Sequence, residues 1–238
     1  MITLKNIFEE ITAFHGSPHA FTQFSTDHIG KREGAGEFGW GIYFTDIHEI
    51  AKYYKNTLSK KGKGKIYNVT LFKGLDTSDK DFLFWYKPLP IKLRSTLGVD
   101  LLSKALRHFF ENPSDLYFHK DIVFEETYFT DNEMDESVWE VYDKKMFVVK
   151  TLKDEQTATD YTYLLNLHAM TMKLAGSQIY EILSNYLGSP KQASEFLTSK
   201  NILGIKFPTN SFNMIDTYHE DGNNYVVFSD KHITIEKL

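Results

Sequence analysis

Polar and apolar positions alternate along ITAFHG (11–16), and again along GIYFT (41–45), IYNVTLFKG (66–74), GIKFP (204–208), YVVFSD and HITIEKL. A period of two marks a half-buried strand. Between these runs the apolar spacing changes to three and four residues. HEIAKYYKNTL, VDLLSKALRHFFEN (99–112), YLLNLHAMTMKLAG (163–176), SQIYEILSNYLGS and SPKQASEFLTSKN are therefore predicted helices. Local signals mark their ends. Asp46 followed by Glu49 reads as a capping box, and Gly176 and Gly188 read as C-terminal stops. Ser189, Pro190 and Gln192 read as an N-cap, a first-turn proline and a capping partner. Residues 3–10 read as a short helix or lead-in, KKGKGK (60–65) as a turn, and FNMIDTYHEDGNN as a loop with a turn. DKKMFVVKTL (143–152) reads as a strand or extended piece. Strands thus gather at both ends of the chain with helices between them. The expected class is α+β: one domain over residues 1–238, with a split, mostly antiparallel sheet, flanking helices and a partly helical insertion at about 76–175.

Composition narrows the picture. With 238 residues the chain is long enough to bury roughly 70% of its unfolded surface. Hydrophobic residues at 42% and aromatics at 15% fit a folded globule rather than a disordered chain. The net charge of −5 argues against a dedicated nucleic-acid binder, although a local basic patch would not show in a total. The absence of cysteine excludes disulfides and cysteine zinc sites and suits a reducing cytosol. No membrane-length apolar run and no signal-peptide pattern is found, so the expected location is cytoplasmic, or a host cytoplasm if the protein is delivered as an effector.

The chemistry concentrates at three stations. HGSPH places His15 and Gly16 at the end of a strand, before a long loop running from 17 to 38. Loops of that length are uncommon unless functional. FGWGIYFTD (38–46) sets Gly39 and Gly41 around a tryptophan, directly ahead of Tyr43 and Phe44, and EIAKYY follows. Its Gly-x-Gly is not a dinucleotide fingerprint, because a strand follows rather than a helix. GNNYVVFSD closes the chain. No HExxH or related metal-ligand spacing is present, so no metal is expected.

This ordered set resembles the ADP-ribosyltransferases of the diphtheria-toxin and poly(ADP-ribose)-polymerase type. It is most similar to the ADP-ribosyltransferase domains of phage and mobile-element polyvalent proteins, with their HG(S/T)xH opening, FGWGIYF stretch and NYVVF ending. The likeness covers about residues 11–74 and 177–238. It implies the corresponding fold and a cleft for bent NAD, used as a substrate. His15 would bond the adenosine ribose. The Gly16 backbone and Ser17 would hold the nicotinamide carboxamide. Tyr43, aided by Phe44, would stack on the ring, and Tyr54, eleven residues on, would face it from the helix.

The likeness breaks at Asn224, where the polymerase-type pattern has glutamate. Asparagine can hydrogen-bond a ribose hydroxyl but supplies no charge and no base. His15, Tyr43 and Asn224 are thus the candidate catalytic residues, and Glu220 and Asp221 are further candidates for a carboxylate from the loop. The implied function is NAD-dependent mono-ADP-ribosyl transfer, a glycosyltransferase reaction of the pentosyl type, in a toxin, effector or phage-conflict protein. The acceptor would be a protein or a nucleic acid, and an inhibitor or antitoxin protein is a further candidate partner. The alternatives are an NAD glycohydrolase, and a non-catalytic NAD- or ADP-ribose-binding pseudoenzyme.

Overall fold

The computed structural model describes residues 10–29, 37–59, 64–75, 81–112, 126–132, 138–211 and 221–236. All but the last residue of the expected lead-in at 3–10, most of the KKGKGK turn, most of FNMIDTYHEDGNN and the candidate Glu220 lie outside them. The class is α+β. The chain divides into two compact units, Met1–Tyr86 with Pro190–Leu238, and Lys87–Ser189.

The first unit is built on a seven-stranded mixed sheet. Its strands are β1 (Ile11–Ser17), β2 (Ile42–Thr45), β3 (Lys65–Leu71), β4 (Phe82–Phe84), β8 (Gly204–Pro208), β9 (Asn223–Val227) and β10 (Ile233–Ile235). Their spatial order is β10-β3-β1-β2-β9-β8-β4. Every junction is antiparallel except the last, where β4 runs parallel to β8. The β1–β3 ladder runs unbroken from Ile11↔Leu71 to Ser17↔Lys65, whereas β1 meets β2 at the single pair Phe14↔Thr45. N-terminal and C-terminal strands therefore share one sheet, with a seam between β1 and β2.

Alternation assigns the two faces. Ala13, Ile42, Phe44, Tyr67, Val69, Leu71, Tyr225 and Val227 form the core on one face. The loop after β1 closes over it: Phe21 stacks on Tyr67 at 4.2 Å, and Phe24 meets Phe44 edge-on at 5.2 Å. The Tyr67 hydroxyl ties that loop down, accepting from the Phe21 N–H at 2.6 Å and donating to the Phe21 carbonyl at 3.1 Å. The opposite face carries α1 (His48–Leu58), which packs across β1.

The expected capping box at the head of α1 does not form. The residue capping α1 is Ile47, and no side chain caps the helix. Asp46 is turned away to β9 instead: its carboxylate accepts the Asn223 backbone N–H at 2.8 and 2.9 Å and the Asn223 side-chain amide at 3.3 Å. The strand partner offers a part-buried backbone donor, and a charge-assisted bond to it outweighs a cap that water can replace. Replacing Asp46 by alanine should therefore cost roughly 1–3 kcal/mol of stability in urea unfolding. A loss below about 0.5 kcal/mol, the scale of a weak exposed cap, would refute this role.

The second unit holds α2 (Ile91–Leu97), α3 (Val99–Glu111), α4 (Glu155–Thr171) and α5 (Gly176–Leu187), with an antiparallel meander of β5 (Tyr128–Asp131), β6 (Trp139–Asp143) and β7 (Val148–Leu152). Buried Asn166 of α4 holds the start of β5, accepting the Thr127 and Tyr128 N–H groups and donating to the Tyr128 carbonyl. Gly176 does not stop α4. It is the first residue of α5, where Gln178 reaches back to the Ala175 N–H at 2.9 Å. Gly188 does close α5, in the left-handed conformation at φ 95°. Back in the first unit, α6 (Pro190–Ser199) begins at its proline.

Candidate active site

The seam between β1 and β2 is where the sequence motifs meet. Because the Asp46 N–H donates to the Asn223 carbonyl, the even-numbered residues of β2 direct their backbone toward β9. The Tyr43 carbonyl therefore points at β1, whose backbone has already diverged. His15 fills that role from its side chain, with Nδ1 2.8 Å from the Tyr43 oxygen. A carbonyl only accepts, so Nδ1 carries the proton and the neutral ring keeps its Nε2 lone pair as an acceptor.

The ring of His15 is enclosed by Phe24 (5.1 Å), Phe44 (5.6 Å), Phe21 (6.4 Å) and Tyr67 (6.5 Å). Burial lowers its pKa below the ordinary histidine value, with the Tyr43 bond opposing in part. The unfolded chain therefore binds more protons than the folded one in the window just below pH 6.5, and stability is complete above it and falls as pH drops through it. His232, also lowered by burial, adds the same sign. The denaturation midpoint should fall as pH is lowered below about 6.5, and more shallowly in His15→Gln. An unchanged slope in that variant would exclude a buried neutral His15.

Gly16 faces α1. A Cβ built there would lie 2.0 Å from the Ala51 carbonyl oxygen and 2.7 Å from the Lys55 nitrogen, so only glycine lets strand and helix approach this closely. Ser17 is buried, and its hydroxyl oxygen accepts the His19 N–H at 3.1 Å. Tyr54 stands on α1 three residues after Ala51, on the flank beside the strand contact.

The two glycines around Trp40 have separate reasons. Gly39 turns with φ 95°, and its carbonyl accepts the Tyr43 hydroxyl at 2.9 Å. A Cβ on Gly41 would sit 2.5 Å from Val226 Cγ1 and 2.8 Å from the Val227 carbonyl, so Gly41 admits β9. The Tyr43 hydroxyl also accepts the Phe38 N–H at 3.1 Å, which pins the turn to the ring. The turn is held from behind as well: Phe38 stacks on Phe207 at 4.1 Å, and Ser194 donates to the Trp40 carbonyl at 2.7 Å.

Tyr43 and Phe44 point to opposite faces. Phe44 belongs to the core beneath His15, while Tyr43, Gly16 and Asn224 share the α1 face. Asn224 pairs with Thr45 and Phe207 and is 4% exposed, and its side-chain amide nitrogen has no hydrogen-bond partner among the described residues. A buried, unmatched donor is costly unless something accepts from it. Asp221 is exposed just ahead of β9.

Glu37 is the residue that sequence reading passes over. It heads the turn that Tyr43 pins, and its charge acts on the Tyr54 phenol. That phenol is pushed up to about 12, by burial first, then by Glu37 and by Tyr53. The available signal was its place, an acid immediately before FGWGIYF. Among the described residues no cluster of His, Asp or Glu could hold a metal ion, and no helix is long and apolar enough to cross a membrane. No family model, curated protein or solved structure matches the chain.

Proposed function

We propose that the chain is an NAD-dependent mono-ADP-ribosyltransferase with the fold of the diphtheria-toxin and poly(ADP-ribose)-polymerase type. The observation that carries this reading is the bond from His15 Nδ1 to the Tyr43 carbonyl. It joins the HGS opening to the IYF strand at a seam where the two strands otherwise pair only at Phe14↔Thr45. Gly16 holds α1 and its Tyr54 against the same seam.

In this reading the nicotinamide ring, a cation in NAD, lies against the aromatic faces of Tyr43 and Tyr54, worth about 0.5–2 kcal/mol of cation–π attraction per ring. The Gly16 backbone and the Ser17 hydroxyl orient its carboxamide. His15 Nε2 accepts from a ribose hydroxyl, and the unmatched Asn224 amide donates to one. The bond from ribose C1′ to the nicotinamide ring nitrogen breaks, and its electron pair stays on that nitrogen, so nicotinamide leaves as a neutral molecule. The oxocarbenium-like centre is then captured by the acceptor, held in line so that water does not compete. The acceptor is a protein side chain or a nucleic-acid base, reached in a cytoplasm.

The test is incubation of purified protein with NAD labelled in the adenylate and with cell lysate, followed by protease or nuclease digestion. Label released by one digestion identifies the acceptor class. Free ADP-ribose without labelled macromolecule shifts the reading to NAD glycohydrolase. NAD bound but left intact shifts it to a binding module in which Asn224 has replaced the catalytic charge.

A further inference from the structure

We propose that Glu37 is the carboxylate of this site, supplying from the FGWG turn the negative charge and the base that Asn224 cannot. The assignment rests on the transferase reading above.

The geometry is specific. Glu37 immediately precedes Phe38, whose N–H donates to the Tyr43 hydroxyl at 3.1 Å, and that hydroxyl donates to Gly39 at 2.9 Å. Glu37 is thereby held at the polar end of the Tyr43 ring. It also lies within electrostatic reach of the Tyr54 phenol, the other ring of the proposed clamp. Glu37 thus adjoins the backbone that binds the Tyr43 hydroxyl, and its charge acts on Tyr54. Of the other acids of this corner, Asp46 accepts three hydrogen bonds from Asn223, Glu49 lies 3.5 Å from His48 on the exposed side of α1, and Asp221 is exposed just ahead of β9. Glu37 is exposed, as a group that must return a proton to solvent should be. At the strand position, Asn224 offers a buried amide donor rather than a charge.

The step balances as follows. The C1′–nicotinamide bond breaks and its electron pair leaves with the neutral nicotinamide. A bond forms between C1′ and the acceptor heteroatom, whose proton passes to the Glu37 carboxylate and from there to water. The same carboxylate faces the positive charge on the ribose while that charge lasts.

The experiment compares wild type, Glu37→Gln, Glu37→Asp and the double variant Glu37→Gln with Asn224→Glu. It measures NAD turnover in the presence of lysate acceptor, NAD affinity by calorimetry and thermal stability. Loss of a positioned base predicts a fall in kcat of about 10²–10⁴ for Glu37→Gln, with NAD affinity and Tm close to wild type. Glu37→Asp retains part of the rate, and a carboxylate restored at 224 recovers part of what Glu37→Gln loses. Wild-type turnover with an indifferent Glu37→Gln overturns the assignment alone. So does a variant whose NAD affinity falls as far as its kcat, because that marks a structural role. A wild-type protein that neither binds nor cleaves NAD overturns the transferase reading and this assignment with it.

Discussion

Tyr43→Ala should lower NAD turnover by more than about 10²-fold, the scale on which a misplaced reacting group costs rate. The ring is expected to be one wall of the nicotinamide site, and its hydroxyl also ties down the turn carrying Glu37. That hydroxyl accepts from Phe38 and donates to Gly39, so alanine removes the aromatic face and releases the loop together. Tyr43→Phe separates the two effects. It keeps the ring and leaves the Phe38 N–H without its acceptor, at roughly 1–3 kcal/mol of stability. Steady-state kinetics should show a rise in KM with a modest fall in kcat for phenylalanine, and a collapse of kcat/KM for alanine. Full turnover in Tyr43→Ala would remove this residue from the site.

Gly16→Ala should be the most destabilising methyl added to the first unit. The new carbon would lie 2.0 Å from the Ala51 oxygen and 2.7 Å from the Lys55 nitrogen, both backbone atoms of α1 that cannot rotate away. Strand and helix must separate, and overpacking of this kind costs roughly 1–3 kcal/mol or more. At this chain length that corresponds to a Tm lower by roughly 2–12 °C. The movement also carries Tyr54 away from the seam, so NAD affinity should fall in the same variant. Melting followed by circular dichroism, with calorimetric NAD titration, reads both. A melting point unchanged to within about a degree would mean that α1 does not press on β1 as described.

The elements were largely legible because their signals are local. Alternation marks β1, β2, β3, β8 and β9, and the three-four spacing with Gly188 and Pro190 marks the end of α5 and the start of α6. The errors arose where a local motif had a distant competitor. Asp46 and Glu49 have the spacing of a capping box, yet the carboxylate of Asp46 goes to a strand start 177 residues away. Gly176 follows a helical run, yet it opens α5, its N–H held by the Lys87 carbonyl. The candidate site was proposed from the order of its motifs, His15-Gly16, then Tyr43, Tyr54 and Asn224, and that order does not reveal the bond from His15 to the Tyr43 carbonyl.

What the amino-acid order determined alone is the alternation of strands and helices, and the turn at Gly39. Both follow from the side-chain period and backbone sterics of each residue with its near neighbours. The tertiary structure decided that positions 16 and 41 must be glycine, that His15 completes the ladder at Tyr43, that Phe44 goes to the core while Tyr43 does not, and that the Glu37 charge acts on Tyr54. Those outcomes depend on which buried polar groups and rings find partners across the sheet. The partners are chosen by the packing of segments far apart in the chain, and no local pattern encodes them.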